Sequence, residues 1–168
     1  MSAISFIIER LEKKIMTPET QKDLSEAGFD ITPISDEKRK QLAMDLDAES
    51  YRVLLEHGTE PAFCGNLTDN KESGTYACKL CGLPLFRSDE KFNSGTGWAS
   101  FYAPFDNEHL KIYRDSKFGM VREEIRCARC DGHQGHVFPD GPPPTGQRYC
   151  LNSASLEFFA EGEEISEK

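Results

Sequence analysis

Apolar positions follow two different rhythms along the chain, and the change falls near Thr59-Glu60-Pro61. Before that point they recur at helical spacing. Ile4, Ile7, Ile8, Leu11 and Ile15 share one face of a helix. Thr17-Pro18-Glu19 reads as the capped, proline-led start of a second helix with Gly28 as its stop. A connector with Pro33 follows. Ser35 or Asp36 caps a third helix through Leu42 and Leu46, and Asp47 caps a fourth through Leu54 and Leu55, stopped by Gly58. Past residue 61 the helical period ends and short segments take over. Strands are expected at Thr75–Cys78, Pro84–Phe86, Leu110–Arg114, Met120–Cys127, Gly135–Phe138, Arg148–Asn152 and Leu156–Phe159. In the Met120–Cys127 segment, Val121, Ile125 and Cys127 fall on one face. Close spacing and Gly/Pro turns predict antiparallel sheets. Asp140 to Gly146 forms a stiff turn that holds the Arg148 strand against what precedes it. The tail from Glu161 is acidic and expected to fray.

Composition narrows the class. The chain has 168 residues, enough for one domain with a terminal extension, and carries 20 Lys+Arg against 29 Asp+Glu. A net charge of −9 argues against a phosphate-backbone partner, so no nucleic acid is expected. No apolar run approaches the roughly 20 residues of a membrane span. The first ten residues lack a basic start, a continuous apolar core and a small-residue cleavage site. A cytoplasmic protein, not membrane-bound and monomeric, is expected. In a reducing compartment paired cysteines read as metal ligands or redox groups sooner than as structural disulfides.

There are six cysteines. Cys78-Lys79-Leu80-Cys81 and Cys127-Ala128-Arg129-Cys130 are two CxxC pairs separated by 45 residues. Four thiolates suit one tetrahedral, closed and therefore structural Zn²⁺ site; two redox dithiols are the alternative. The remaining thiols are Cys64 and Cys150. If Arg148 to Asn152 is a strand, Arg148, Cys150 and Asn152 point to one face, and a guanidinium and an amide beside a thiol favour its thiolate. An inert buried cysteine is the plainer reading, and Cys64 taken alone has no signal beyond its thiol. His133 and His136 follow the second CxxC pair and suit proton transfer near neutral pH, alternative metal ligation or a structural role. Trp98, flanked by glycine, is a core residue or the wall of an apolar subsite.

Several ordered stretches then carry a resemblance. They are His57-Gly58-Thr59-Glu60, Asp69-Asn70-Lys71, Gly74-Thr75-Tyr76, the two CxxC pairs, Phe92 to Phe101, Gly135 to Pro142, and Arg148 to Leu156. Across residues 47 to 160 the chain resembles the B-type peptide-methionine (R)-S-oxide reductases. The resemblance implies a catalytic domain over 47–160, a helical extension over 1–46 and an acidic tail over 161–168. It implies a mainly β fold of two twisted antiparallel sheets, with a structural zinc on Cys78, Cys81, Cys127 and Cys130 opposite the active site. By resemblance Cys150 is the nucleophile that reduces methionine (R)-sulfoxide to methionine through a sulfenic acid. Trp98 receives the substrate methyl group. His133 and His136 orient and protonate the sulfoxide oxygen, Arg148 and Asn152 organise thiolate and water, and Phe138 and Asp140 support the pocket. Many members carry a resolving cysteine where this chain has Thr96, and Ala99 stands where a proline is usual. The resemblance therefore makes Cys64 the candidate resolving thiol, forming a Cys64–Cys150 disulfide that thioredoxin reduces. The competing class is a non-enzymatic zinc-bound β module that binds another protein, which would need neither the Arg148-x-Cys150-x-Asn152 face nor the histidines.

Overall fold

The computed structural model describes residues 21–168. The first expected helix, Ile4 to Ile15, lies outside them. The second is not helical in its described part: residues 21–34 contain no helix. Leu24 and Asp30 instead form an isolated antiparallel bridge around a tight turn in which Gly28 adopts φ +85°. Ser25 drives this local choice. Its hydroxyl accepts from the Phe29 N–H at 3.2 Å and lies 2.8 Å from His109 Nε2. Phe29 then packs edge-on against Phe105 and His109.

Two helices follow where their caps place them. α1 (Asp36–Ala43) begins at Ser35, whose side chain accepts from Lys38 N–H, and carries Asp36 and Glu37 in its first turn. It stops at Ala43, short of Leu46. α2 (Ala48–Glu56) begins at Asp47, whose carboxylate accepts from Ser50 N–H, and buries Val53 and Leu54 completely. His57 ends it in the left-handed region at φ 56°. Gly58 comes one position later, so the left-handed residue is a histidine with a side chain to place.

Nine strands follow among the described residues: β1 (Gly74–Cys78), β2 (Pro84–Arg87), β3 (Lys91–Phe92), β4 (Ala99–Phe101), β5 (Leu110–Asp115), β6 (Arg122–Cys127), β7 (His133–Phe138), β8 (Arg148–Leu151) and β9 (Leu156–Ala160). They form two antiparallel sheets, ordered β2-β1-β9 and β3-β4-β8-β7-β6-β5. The fold is thus mainly β, as the short segments predict. Aromatic side chains join the sheets. Phe86 of β2 stacks on Phe101 of β4 with centroids 4.6 Å apart, and Tyr76 of β1 meets Phe101 edge-on at 5.0 Å. All three are fully buried.

Two local expectations change. Val121 does not join the buried face of Ile125 and Cys127; β6 starts at Arg122, and Val121 is exposed in the loop before it. Glu124 and Ile125 are consecutive and both buried, and after them the register shifts, with Arg126 opposite His133 and Gln134 the extra residue on β7. The tail does not simply fray. The Lys168 N–H donates to Cys81 O at 3.1 Å, and Lys168 Nζ reaches Lys79 O and Glu157 Oε2, each at 2.9 Å.

Candidate active site

Cys150 lies on β8 between two strands. Its register partners are Ser100 on β4 and His136 on β7. Side chains directly opposite in antiparallel strands sit on the same face, so the ladder itself sets Cys150 beside His136. The approach is close: a Cβ on Gly135 would meet Cys150 O at 1.9 Å, so only glycine fits there. Around Cys150 opens a cleft of about 230 Å³ lined in part by Thr96, Trp98, His136, Phe138, Arg148 and Asn152. Trp98 is held in place by its Nε1–H, which donates to Glu60 O at 3.1 Å.

The groups around the thiol pull in opposite directions. Burial pushes the Cys150 thiol up, and Arg148 and the Thr96 hydroxyl only partly pull it back. The expected neighbours are therefore present, but desolvation wins and the resting group is a thiol. Arg148 is committed elsewhere as well. Its Nε and one terminal nitrogen fork onto Asp140 at 2.9 and 3.1 Å, and the guanidinium lies 4.4 Å above the Phe138 ring. Asp140 thus acts on the cleft through Arg148. Asn152 uses both ends of its amide for architecture: Oδ1 accepts from Glu60 N–H at 3.0 Å, and Nδ2 donates to Gln134 O at 3.0 Å.

The two histidines separate. His136 lines the cleft and donates from Nε2 to Asp115 Oδ2 at 2.9 Å, a carboxylate also 3.3 Å from Arg122. Asp115 is held down at about 2, chiefly by this hydrogen bond. Burial lowers His136, against the pull of Asp115. His133 is not a lining residue. It is almost fully buried and donates from Nδ1 to Glu124 Oε1 at 2.7 Å, while His57 Nδ1 donates to the same oxygen at 2.7 Å. Asp115, Glu124, Arg122 and His57 are contributions the sequence reading missed. They lie 7 to 67 positions from their histidine or carboxylate partners, and no local spacing announces them.

Among the described residues two groups of side chains converge closely enough to hold a metal ion. One is Cys78, Cys81, Cys127 and Cys130, all buried. Cys78 Sγ is 3.5 Å from Cys130 Sγ, and Cys81 Sγ is 3.6 Å from Cys127 Sγ. Those spacings are far beyond a disulfide bond and close to the edge, about 3.8 Å, of a tetrahedron with Zn–S bonds of about 2.3 Å. Gln134 Nε2 donates to Cys78 Sγ at 3.3 Å, a hydrogen bond suited to a thiolate ligand. Burial and the neighbouring sulfurs push Cys127 well up, so a divalent cation is what allows four crowded sulfurs to be thiolates together. The donor set fits a structural zinc. The other group is His57, Glu124 and His133. Here the two N–H donors already satisfy the carboxylate, and Arg126 sits 2.9 Å from its other oxygen, which disfavours a cation.

Residues 46–160 match the SelR domain family. This chain belongs to that family, the B-type peptide methionine sulfoxide reductases. A peptide methionine sulfoxide reductase MsrB from Caulobacter vibrioides is 60% identical over 139 residues, 83% of this chain and 87% of the relative. One from Xylella fastidiosa is 56% identical over 135 residues, 80% of this chain and 87% of the relative. A third, from Thioalkalivibrio sulfidiphilus, is 56% identical over 115 residues, 68% and 84%. Membership makes this protein an oxidoreductase of the methionine sulfoxide reductase class.

In this reductase Cys64 stands apart from Cys150. It is exposed and lines a neighbouring hollow of about 500 Å³ with Glu60, Pro61, Ser153 and Lys79 among others. The Glu60 carboxylate, on the side of that hollow, accepts from the N–H groups of Ser153 and Ala154 at 2.8 and 2.9 Å. The Cys64 segment touches the Trp98 loop through Phe63, whose N–H donates to Gly97 O at 2.8 Å. Phe63 itself is exposed at φ 64°. Thr96, notable in the sequence only as a missing cysteine, lines the cleft with Cys150 and has its hydroxyl 2.8 Å from Ser94 Oγ.

Proposed function

We propose that the protein reduces the R epimer of methionine sulfoxide, in proteins or free, with Cys150 as nucleophile and thioredoxin as final reductant. The cross-strand pairing of Cys150 with His136, beneath the Trp98 wall, is the observation that carries this reading. Trp98 and Phe138 offer an apolar seat for the methyl group. His136, tethered through Nε2 to Asp115, has Nδ1 free to take the Cys150 proton and pass it to the sulfoxide oxygen. A thiol whose ionisation is disfavoured at rest is then both proton source and nucleophile. In sum the S–O bond of the substrate breaks and an S–O bond forms on Cys150. Methionine sulfoxide is reduced to methionine, and Cys150 is oxidised to a sulfenic acid whose oxygen carries the thiol's proton.

Cys64 is the resolving thiol in this reading. It attacks the Cys150 sulfenic sulfur, water leaves, and a Cys64–Cys150 disulfide forms, which a thioredoxin dithiol reduces by exchange. The segment around Cys64 must move for this, releasing the Phe63 N–H from Gly97 O and the Leu67 N–H from Ser153 Oγ and lifting Gly65 from its close seat against Glu60 and Ser153. Cys78, Cys81, Cys127 and Cys130 hold a structural zinc that joins the β1–β2 turn to the β6–β7 turn. The cytoplasm, with its reducing dithiols, is the matching compartment, and the active unit is one chain.

The test is a thioredoxin-coupled assay on both sulfoxide epimers. Cys150→Ser abolishes even a single turnover. Cys64→Ser keeps a single turnover with the R epimer and loses thioredoxin-driven turnover. Full steady-state activity of Cys64→Ser with thioredoxin would remove Cys64 from the mechanism, and equal rates on the two epimers would remove the stereochemical assignment.

A further inference from the structure

Glu124 holds two imidazoles and a guanidinium on one buried carboxylate. Oε1 accepts from His57 Nδ1 and His133 Nδ1, both at 2.7 Å, and Oε2 accepts from Arg126 at 2.9 Å. Burial opposes ionisation of Glu124, yet the Arg126, His57 and His133 donors overcome it and hold the carboxyl down at about 2. At neutral pH it is a carboxylate and can only accept. Both ring nitrogens facing it must therefore carry hydrogen. Burial also pushes His133 down to about 4, against the pull of Glu124, so its ring is neutral. A neutral imidazole protonated at Nδ1 has a lone pair at Nε2. That Nε2 is buried and has no hydrogen-bond partner among the described residues. Orphaned buried acceptors are uncommon, and each calls for a donor, whether a water or a group of the active site.

His57 lines none of the cleft and comes from the left-handed end of α2. Its ring centroid is 5.6 Å from that of His133, and His136 lies 5.5 Å from His133 on the other side. The charged and titratable groups facing His133 are thus Glu124, His57 and His136. Arg126 acts through Glu124 and is itself 3.2 Å from Asp131. We propose that His57 is a positioning residue: by sharing Oε1 of Glu124 it fixes His133 as the uncharged Nδ1–H tautomer, so that Nε2 is offered as an acceptor to an O–H in the active site. This rests on the reading that His133 serves sulfoxide reduction. The O–H is that of the protonated sulfoxide or of the Cys150 sulfenic acid. In place of donating a proton, as the sequence suggests, His133 receives a hydrogen bond.

The mechanism of control is competition for one oxygen. A carboxylate oxygen that already accepts from His57 has less attraction left for a second positive charge on His133. Removing the His57 donor gives that attraction back to His133, favours its charged form and fills the acceptor with hydrogen. Imidazole ¹⁵N spectra of the resting full-length enzyme read both properties directly. In wild type, His57 and His133 should each show a protonated Nδ1. In His57→Leu, which keeps the site apolar but has no donor, the His133 titration should move upward by about half a pH unit or more. In His57→Asn, whose amide can donate from the Nδ1 position, it should return toward wild type. A His133 protonated at Nε2 in wild type overturns the proposal. So does an unmoved titration in His57→Leu, or an equal shift in the Leu and Asn variants. The pH–rate profile of His57→Leu then tests the underlying reading separately. If the titration moves and the rate profile does not, His57 controls His133 as proposed and His133 has no part in turnover.

Discussion

Cys150, His133 and His136 share a physical state: burial favours their neutral forms. For the histidines this makes stability depend on pH. An unfolded histidine takes up its proton near its ordinary value, 6.5, whereas folded His133 does so near 4. Between those values the unfolded chain binds more protons, so stability rises with pH across that window. The contribution is fully present above about 6.5 and is lost as pH falls toward 4. For His133 it amounts to about 2–3 kcal/mol between pH 7.5 and 4.5. Glu124, also depressed, keeps its contribution until pH falls below its ordinary 4.5, so the upper window reports histidines. Urea unfolding at pH 7.5 and 4.5 should therefore show a clear loss at the lower pH in wild type. The loss should be distinctly smaller in His133→Asn, where His136 is the one lowered histidine left. Equal losses in both proteins would mean that His133 is not held neutral by the fold.

At the scale of elements, the pair β7–β8 makes the site. Its register sets His136 against Cys150, Phe138 against Arg148, and Gly135 against Leu151. At Gly135 Cys150 O occupies the space a Cβ would need. Gly135→Ala should push β7 from β8, destabilise the protein by about 1–3 kcal/mol and cut activity more than stability alone would, because it moves His136 from the thiol. Measured by denaturant midpoint and by single-turnover rate, a variant with wild-type values of both would show that the ladder tolerates a side chain there. The turn between the two strands supports the same register. Gly141 N–H donates to Gly146 O at 2.9 Å, and the Asp140–Arg148 fork closes its base.

For the whole molecule, the sulfur cluster links parts of the chain that neither sheet joins directly. Cys78 ends β1 in one sheet and Cys127 ends β6 in the other. A zinc at this point ties the two sheets together at one end of their shared core. Stripping the metal with a strong chelator should therefore abolish cooperative unfolding and expose the core, seen as loss of near-ultraviolet dichroism with residual strand signal. Native dichroism and activity after complete, verified metal removal would show that the aromatic contacts of Tyr76, Phe86 and Phe101 suffice alone. The docked tail lies over the same region, with Lys168 on Lys79 O and Cys81 O.

The sequence by itself determined what local rules control. Ser35 and Asp47 placed both helix starts, because capping acts within one turn. Alternation and turn residues located seven of the strands, and the CxxC spacing identified the sulfur cluster that the fold brings together. Tertiary structure decided the rest. Ala99-Ser100-Phe101 carries little strand propensity and is a strand because β8 pairs with it. Ser25 and Phe29 turned a capped helical pattern into a loop by finding partners around residues 105 and 109. The Arg148-x-Cys150-x-Asn152 face was legible, but not the balance of burial over charge that keeps the thiol protonated. Nor was the Glu124 hub, because its partners meet only when α2, β6 and β7 have packed. Spacing records which residues are neighbours along an element. Which buried charge faces which ring is set by how the elements come together.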